Sequence, residues 1–195
     1  MKNTKLKRFI AIVAMIAVLF VMAGCGQQAS TQGGQGQINE GQKIYEVDLA
    51  YANLAYIDSG DEAIDKFVDD VEQTVSVATM ETEEAMLSDA IAKAIDLLKT
   101  VPENLSTAVT CVNTEYINGV AVSGRLCTVD LNASAMEMDS YTEMFFIYQI
   151  ADTVLDSFDQ IDQVIFTVDG QAVDSLGHLD ISQPFTEELV DRFEG

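Results

Sequence analysis

A single histidine, ten basic residues and three cysteines are all that 195 residues supply of the side chains most enzymes and metal sites rely on. The one histidine, His178, has no HExxH partner or other ligand at short spacing, so neither a zinc centre nor a histidine general base has support. A structural hydrogen bond is the expected role of His178. No Gly-Lys-Ser/Thr follows the glycine-rich stretch and no GxGxxG joins a strand to a helix, which removes the usual nucleotide cradles. Asp156, Asp159 and Asp162 recur at spacing three and could share a face. An EF-hand would still need alternating oxygen ligands, a central glycine and a terminal glutamate, and these are missing. The many other carboxylates provide false pairs for a glycosidase, whose chemistry needs a defined separation in a cleft. No catalytic, metal or cofactor residue is assigned.

Positive charge is scarce and unevenly placed. Lys2, Lys5, Lys7 and Arg8 open the chain without an acid, and an apolar run follows from Phe9 to Ala23. This is the layout of an export signal. In a helix the run would span about 22 Å, short of the roughly 30 Å hydrocarbon core, so a permanent transmembrane helix is the weaker reading. The run ends in Val21-Met22-Ala23-Gly24-Cys25, which resembles the lipobox of bacterial lipoproteins, with Met22 standing where leucine is usual. The resemblance implies cleavage before Cys25 and acylation of its thiol. Each buried methylene contributes about 0.8 kcal/mol, so two or more acyl chains would hold the chain stably at a membrane. The expected location is the outer face of a bacterial cytoplasmic membrane.

Removal of residues 1–24 leaves six of the ten basic residues against 32 acids, a net charge near −26. Nucleic acid and anionic headgroups are excluded as partners on that ground. The acidity itself is expected to be a solvated surface that keeps the protein soluble. Cys111 and Cys127 are the cysteines left beyond Cys25, and an even pair in an exported chain permits a disulfide. Two buried thiols acting as small apolar residues is an equal alternative.

Residues 25–42 are expected to be the lipidated cysteine and a Gly/Gln-rich tether that cannot bury enough surface to order itself. It would hold the domain roughly 20 to 25 Å from the lipid. Residues 43–195 have the size of one domain. Tyr45, Val47, Leu49 and Tyr51 alternate with polar neighbours and predict a strand, and Val75 and Val77 predict another. The stretch 58–72 is ambiguous and is read as a variable insertion. Thr82 caps a helix whose apolar stripe is Leu87, Ile91, Ala94, Ile95 and Leu98. A hairpin follows between Ala108 and Leu131, turning at Ser123-Gly124 or at Asn118-Gly119. Ser140 and Glu143 read as a capping box before a helix with Tyr141, Phe145, Tyr148, Ala151, Leu155 and Phe158 on one face. Ile161 to Val168 is a strand closed by the hairpin turn Asp169-Gly170, with a short return through Ala172 and Val173. A last helix runs from Glu187 to Phe193. The fold class is α+β: a small mixed or antiparallel sheet with two main helices packed on one face.

The order of motifs in the second half resembles the GerMN domain of sporulation and germination lipoproteins. The matching parts are Gly124 to Asn132 with its Val-Asp-Leu strand, the helix segment Tyr148 to Leu155, Val164 to Val168, Asp169-Gly170, and Leu176 to Pro184. The resemblance implies a fold like ring-building motifs of envelope assemblies and a non-enzymatic interaction module in the cell envelope, with sporulation or envelope proteins as partners. It also invites association between copies of the chain. A receptor for a wall or solute ligand is the alternative, and an unrecognised wall hydrolase a weaker one. The family brings no catalytic residues to this sequence.

Overall fold

The first strand begins at Gln42 and runs to Leu49 (β1), burying Tyr45, Val47 and Leu49 on one face. The computed structural model describes residues 41–68 and 71–194, which all fall in one compact unit. β1 pairs antiparallel with Val71–Ala78 (β3), in unbroken register from Gln42↔Ala78 to Leu49↔Val71. Between them lie a two-residue strand, Ala52–Asn53 (β2), and a short helix, Leu54–Ser59 (α1). Asn53 caps α1 and Gly60 ends it in the left-handed conformation, φ 63°. The ambiguous stretch therefore begins as the end of a helix. It continues as a loop whose Phe67 returns to bridge Ala52.

The Thr82-capped helix is present as Glu83–Leu98 (α2). The Thr82 side chain accepts from the Ala85 amide, and Glu83 and Glu84 lie at the positive end of the dipole. Its predicted stripe is buried throughout. Ala108–Val109 (β4) pairs with β2. Ile117–Ser123 (β5), Leu126–Leu131 (β6) and Gln163–Val168 (β7) form a three-stranded sheet in the order β5-β6-β7, antiparallel then parallel. One face of this sheet carries buried Val122, Cys127, Val129, Leu131, Val164, Phe166 and Val168. The opposite face, with Leu126, Thr128, Asp130, Ile165 and Thr167, is half-open to water.

The turn of the β5–β6 hairpin is at Gly124, φ 60°. The rival Asn118-Gly119 lies inside β5, where the register slips between Ile117 and Gly119. A bulge explains an Asn-Gly pair that does not turn the chain. Asp169-Gly170 does turn, with φ 48° and 74°, but no return strand follows. Only Gln171 bridges back to Val168, because β7 already has β6 on one side and Phe185 bonds Val164 on the other.

Ser140–Ser157 (α3) was expected to show one apolar face. It is instead buried nearly all round, with Phe145, Phe146, Ile147, Ile150, Ala151 and Val154 fully enclosed, as for a helix at the centre of a core. Its N-cap is Asp139, whose Oδ1 accepts from the amides of Tyr141 and Thr142. This corrects the Ser140–Glu143 capping box, because the Glu143 carboxylate is engaged elsewhere. Both long helices touch the β1–β3 pair, and α2 also packs on β5 and α3 on β7. The chain closes with Glu187–Glu194 (α4). Phe193 of α4 stacks on Tyr148 at 3.8 Å and meets Phe67 and Phe145 edge-on or tilted. The fold is α+β, as expected. No helix among the described residues is long and apolar enough to cross a membrane.

Candidate functional site

α3 carries a polar file through the core at positions four apart. Gln149, fully buried, donates from Nε2 to the carbonyls of Ala50 (3.0 Å) and Val109 (3.3 Å) and accepts at Oε1 from the Cys111 amide (2.8 Å). Thr153 accepts from the Ala50 amide at 2.9 Å. Ser157 accepts from the Asp48 amide at 2.9 Å and donates to the Asp48 carbonyl at 3.2 Å. One turn per contact brings each side chain above the next outward-facing peptide of β1 and its continuation. Helix side chains stand where a neighbouring strand would be. The signal was visible as polar residues every four in an apolar helix.

At the first turn of α3, the fully buried Glu143 accepts from the amides of His178 (3.1 Å) and Leu179 (2.8 Å) and contacts His178 Nδ1 at 2.9 Å. A β-carbon on Gly177 would lie 3.1 Å from the Met136 carbonyl and 3.2 Å from the Glu143 carboxylate, at φ 99°. Only glycine lets the loop approach this closely. The expected structural hydrogen bond of His178 is present.

The polar end of the three-stranded sheet borders an open hollow. Asn118, displaced by the bulge in β5, points Nδ2 at Asp130 Oδ2 (3.1 Å), the Leu131 carbonyl (3.1 Å) and Asp169 Oδ1 (3.2 Å). Two protons thus face three oxygens. Asp130 Oδ1 also accepts from the Thr167 hydroxyl (2.6 Å) and the Gly170 amide (2.7 Å). The Thr167 bond is the foremost cause that holds the Asp130 carboxyl below the ordinary range, aided by Gly170 and Asn118. Beside this clasp lies an open hollow of about 470 Å³ lined by Glu115, Tyr116, Asn132, Ala133, Ser134 and Asp169. Asn132 shapes its wall by capping the turn at Ser134 and donating to the Glu115 carbonyl at 2.6 Å. Such a rim can accept hydrogen bonds from a cationic or amide-bearing group. Its clasped carboxylates are already serving as acceptors.

The family model described as Germane, sporulation and spore germination, matches residues 40–174. The chain belongs to this family. Solved structures similar to the Germane domain include three at low identity. One is a candidate lipoprotein from Clostridium perfringens, at 19% identity and a TM-score of 0.44, covering 80% of this chain and 94% of that one. Another is the first GerMN domain of the sporulation protein GerM from Bacillus subtilis, at 14% identity and 0.46, covering 73% and 98%. The tandem GerMN domains of the same protein match at 16% and 0.43, covering 80% of this chain and 49% of that one. The comparison with curated proteins found no match.

Within the Germane domain, Cys111 and Cys127 are free thiols, so the permitted disulfide is not formed in this structure. Burial pushes Cys111 up to about 11, with Asp139 adding to it, and Cys127 up to about 12. Asp156, Asp159 and Asp162 do not share a helix face, because α3 stops at Ser157 and Phe158 caps it in an extended conformation. Arg125 occupies the space instead, pairing with the Asp162 carboxylate and donating to the Asp159 carbonyl. Cys25, the expected export signal and the expected tether up to Glu40 lie outside the described residues. Asn118 and the true partner of Glu143 were not anticipated. An Asn-Gly pair in an otherwise alternating strand was the available clue to the first.

Proposed function

We propose that this chain is a membrane-anchored lipoprotein, acylated at Cys25 on the outer face of the cytoplasmic membrane, whose Germane domain is a non-enzymatic interaction module of envelope assembly. Sporulation or germination is the setting its family suggests. One observation carries the non-enzymatic part. The three buried polar side chains among the described residues, Glu143, Gln149 and Thr153, direct their hydrogen bonds to this chain's own backbone and to His178. These groups hold loops and strand edges in place, and what they leave for partners is an acidic, mostly shallow surface. The domain boundaries in this reading are 1–24 for the signal, 25–42 for the lipidated tether and 43–195 for the module.

Affinity capture of the lipidated chain from its native envelope, with Cys25→Ala as the control, tests this reading. Specific envelope proteins should be recovered with the wild type, and the variant should leave the membrane fraction. A second reading, a receptor for a wall or solute ligand, draws on the open hollow beside Tyr116 and Asp169. Saturable binding of a soluble wall fragment, together with capture of no specific protein, would favour the receptor and overturn the module.

A further inference from the structure

Most sheet edges of the domain are covered by the chain itself. On β5, the Val122 amide donates to Ser88 Oγ and the Gly124 amide to Glu84 Oε1, so α2 covers that edge with side chains four apart. β7 is closed by Phe185 and Gln171. β1 is covered at Asp48, and just beyond its end at Ala50, by α3. The outer edge of β3 is open along its full eight residues apart from Lys93 at Ser76, whereas β1 is open only from Gln42 to Glu46. Since Asp48 turns its peptide groups outward, alternation in the antiparallel ladder also turns outward those of Gln42, Ile44 and Glu46. Their partners Glu72, Thr74, Ser76 and Ala78 then face outward from β3. Lys93 confirms the phase, because its ammonium reaches the Ser76 carbonyl at 2.8 Å. Among the described residues nothing else bonds this edge, which is eight residues long and has no proline or bulge. Uncovered edges of this length are templates for another strand.

Resting on the interaction-module reading, we propose that the outer edge of β3 docks an extended, lysine- or arginine-bearing segment of another protein, which adds to the β1–β3 pair as a third strand. Main-chain bonds to Thr74, Ser76 and Ala78 would hold it, as in other strand-addition complexes. Charge selects the occupant. Glu46 and Glu72 lie at diagonal register positions on the same exposed face. Like charges so placed repel. No described basic side chain pairs with Glu46 or Glu72, while the nearby lysines face other acids, Lys43 with Glu83 and Lys93 with Asp89. A cationic side chain on an added strand relieves this repulsion. A second copy of a chain with net charge −22 would worsen it. Lys93 guards the edge until a partner displaces it, and keeps its bond to Asp89 afterwards.

The test uses the full chain and a synthetic peptide alternating lysine and valine, with a glutamate–valine peptide as control. Amide exchange at Thr74, Ser76 and Ala78 should slow by about tenfold or more with the lysine peptide and stay unchanged with the glutamate peptide. Thr74→Pro removes an outward N–H without breaking a ladder bond and should abolish the protection. Should that variant fail to fold, Glu72→Lys provides the same test by weakening the lysine peptide about tenfold. Protection at another edge, equal protection by both peptides, or protection that grows with protein concentration alone would overturn the proposal. If wild type and Thr74→Pro capture the same envelope proteins, the edge is wrong and the module reading stands. If neither captures any, the module reading fails.

Discussion

Replacing Gln149 with leucine tests whether α3 truly substitutes for a strand. The side chain keeps its approximate volume, so little cavity is created, but the Ala50 and Val109 carbonyls and the Cys111 amide lose their partner. A buried group left unsatisfied costs about 1–3 kcal/mol. Ala50 is 4% exposed and bears the full cost. Val109 and Cys111 are half-buried, and water can serve them in part. The expected loss is about 2–4 kcal/mol, a large share of the 5–15 kcal/mol typical of a domain. For a domain of this size, that lowers Tm by roughly 5–15 °C. Urea unfolding followed by circular dichroism would measure it, with the m-value unchanged. A loss below about 0.5 kcal/mol would mean that water already reaches these peptides, which would refute the account of the polar file. Gln149→Glu sharpens the test. Burial beside two carbonyls raises the folded pKa of the introduced acid. Its penalty is therefore full above that raised value, fades as pH falls through it and is gone below the unfolded value, so acidification should narrow the gap to wild type.

Glu143→Gln should cost about 2–3 kcal/mol by removing charge-assisted bonds to His178 and Leu179, and should speed amide exchange at both residues. Unchanged exchange there would show that the loop is held by packing alone. The depressed Asp130 carboxyl stabilises the fold above the unfolded pKa, and this contribution is lost as pH falls through the folded value. Asp130→Asn should flatten that acid limb in urea midpoints measured against pH, and an unaltered slope would disprove the linkage. With thiols at about 11 and 12, the thiolate fractions of Cys111 and Cys127 at pH 8 are on the order of 10⁻³ and 10⁻⁴. Alkylation of the native Cys25→Ala chain should be slow, and unfolding without reductant should release two reactive thiols. Finding none would establish a disulfide.

Local rules sufficed wherever one residue's role was decided by its neighbours in sequence. Thr82 capped its helix and the stripe from Leu87 to Leu98 was buried, because periodicity and capping act within a turn or two. Asp169-Gly170 adopted its turn for the same reason, but whether a return strand followed depended on Phe185 having taken the other edge of β7. Glu143 had the spacing of a capping box, yet its carboxylate went to a loop 35 residues away, which no local pattern encodes. The bulge at Asn118 likewise depends on acceptors on β6 and on the turn after β7. The three-stranded sheet end was therefore illegible as a site, although Asp130 and Asp169-Gly170 each stood in recognisable motifs.

The polar file on α3 also imposes an order of events on folding. A chain emerging N-terminus first presents β1 early, and β3 can pair with it after some thirty residues. The outward peptides at Asp48 and Ala50 must nevertheless wait for partners 99 to 109 residues downstream. Such long-range closures are slow compared with local ones. Until α3 arrives, the earliest strand of the domain remains its least finished part, and a factor that shields exposed strands during synthesis or export would find its substrate there.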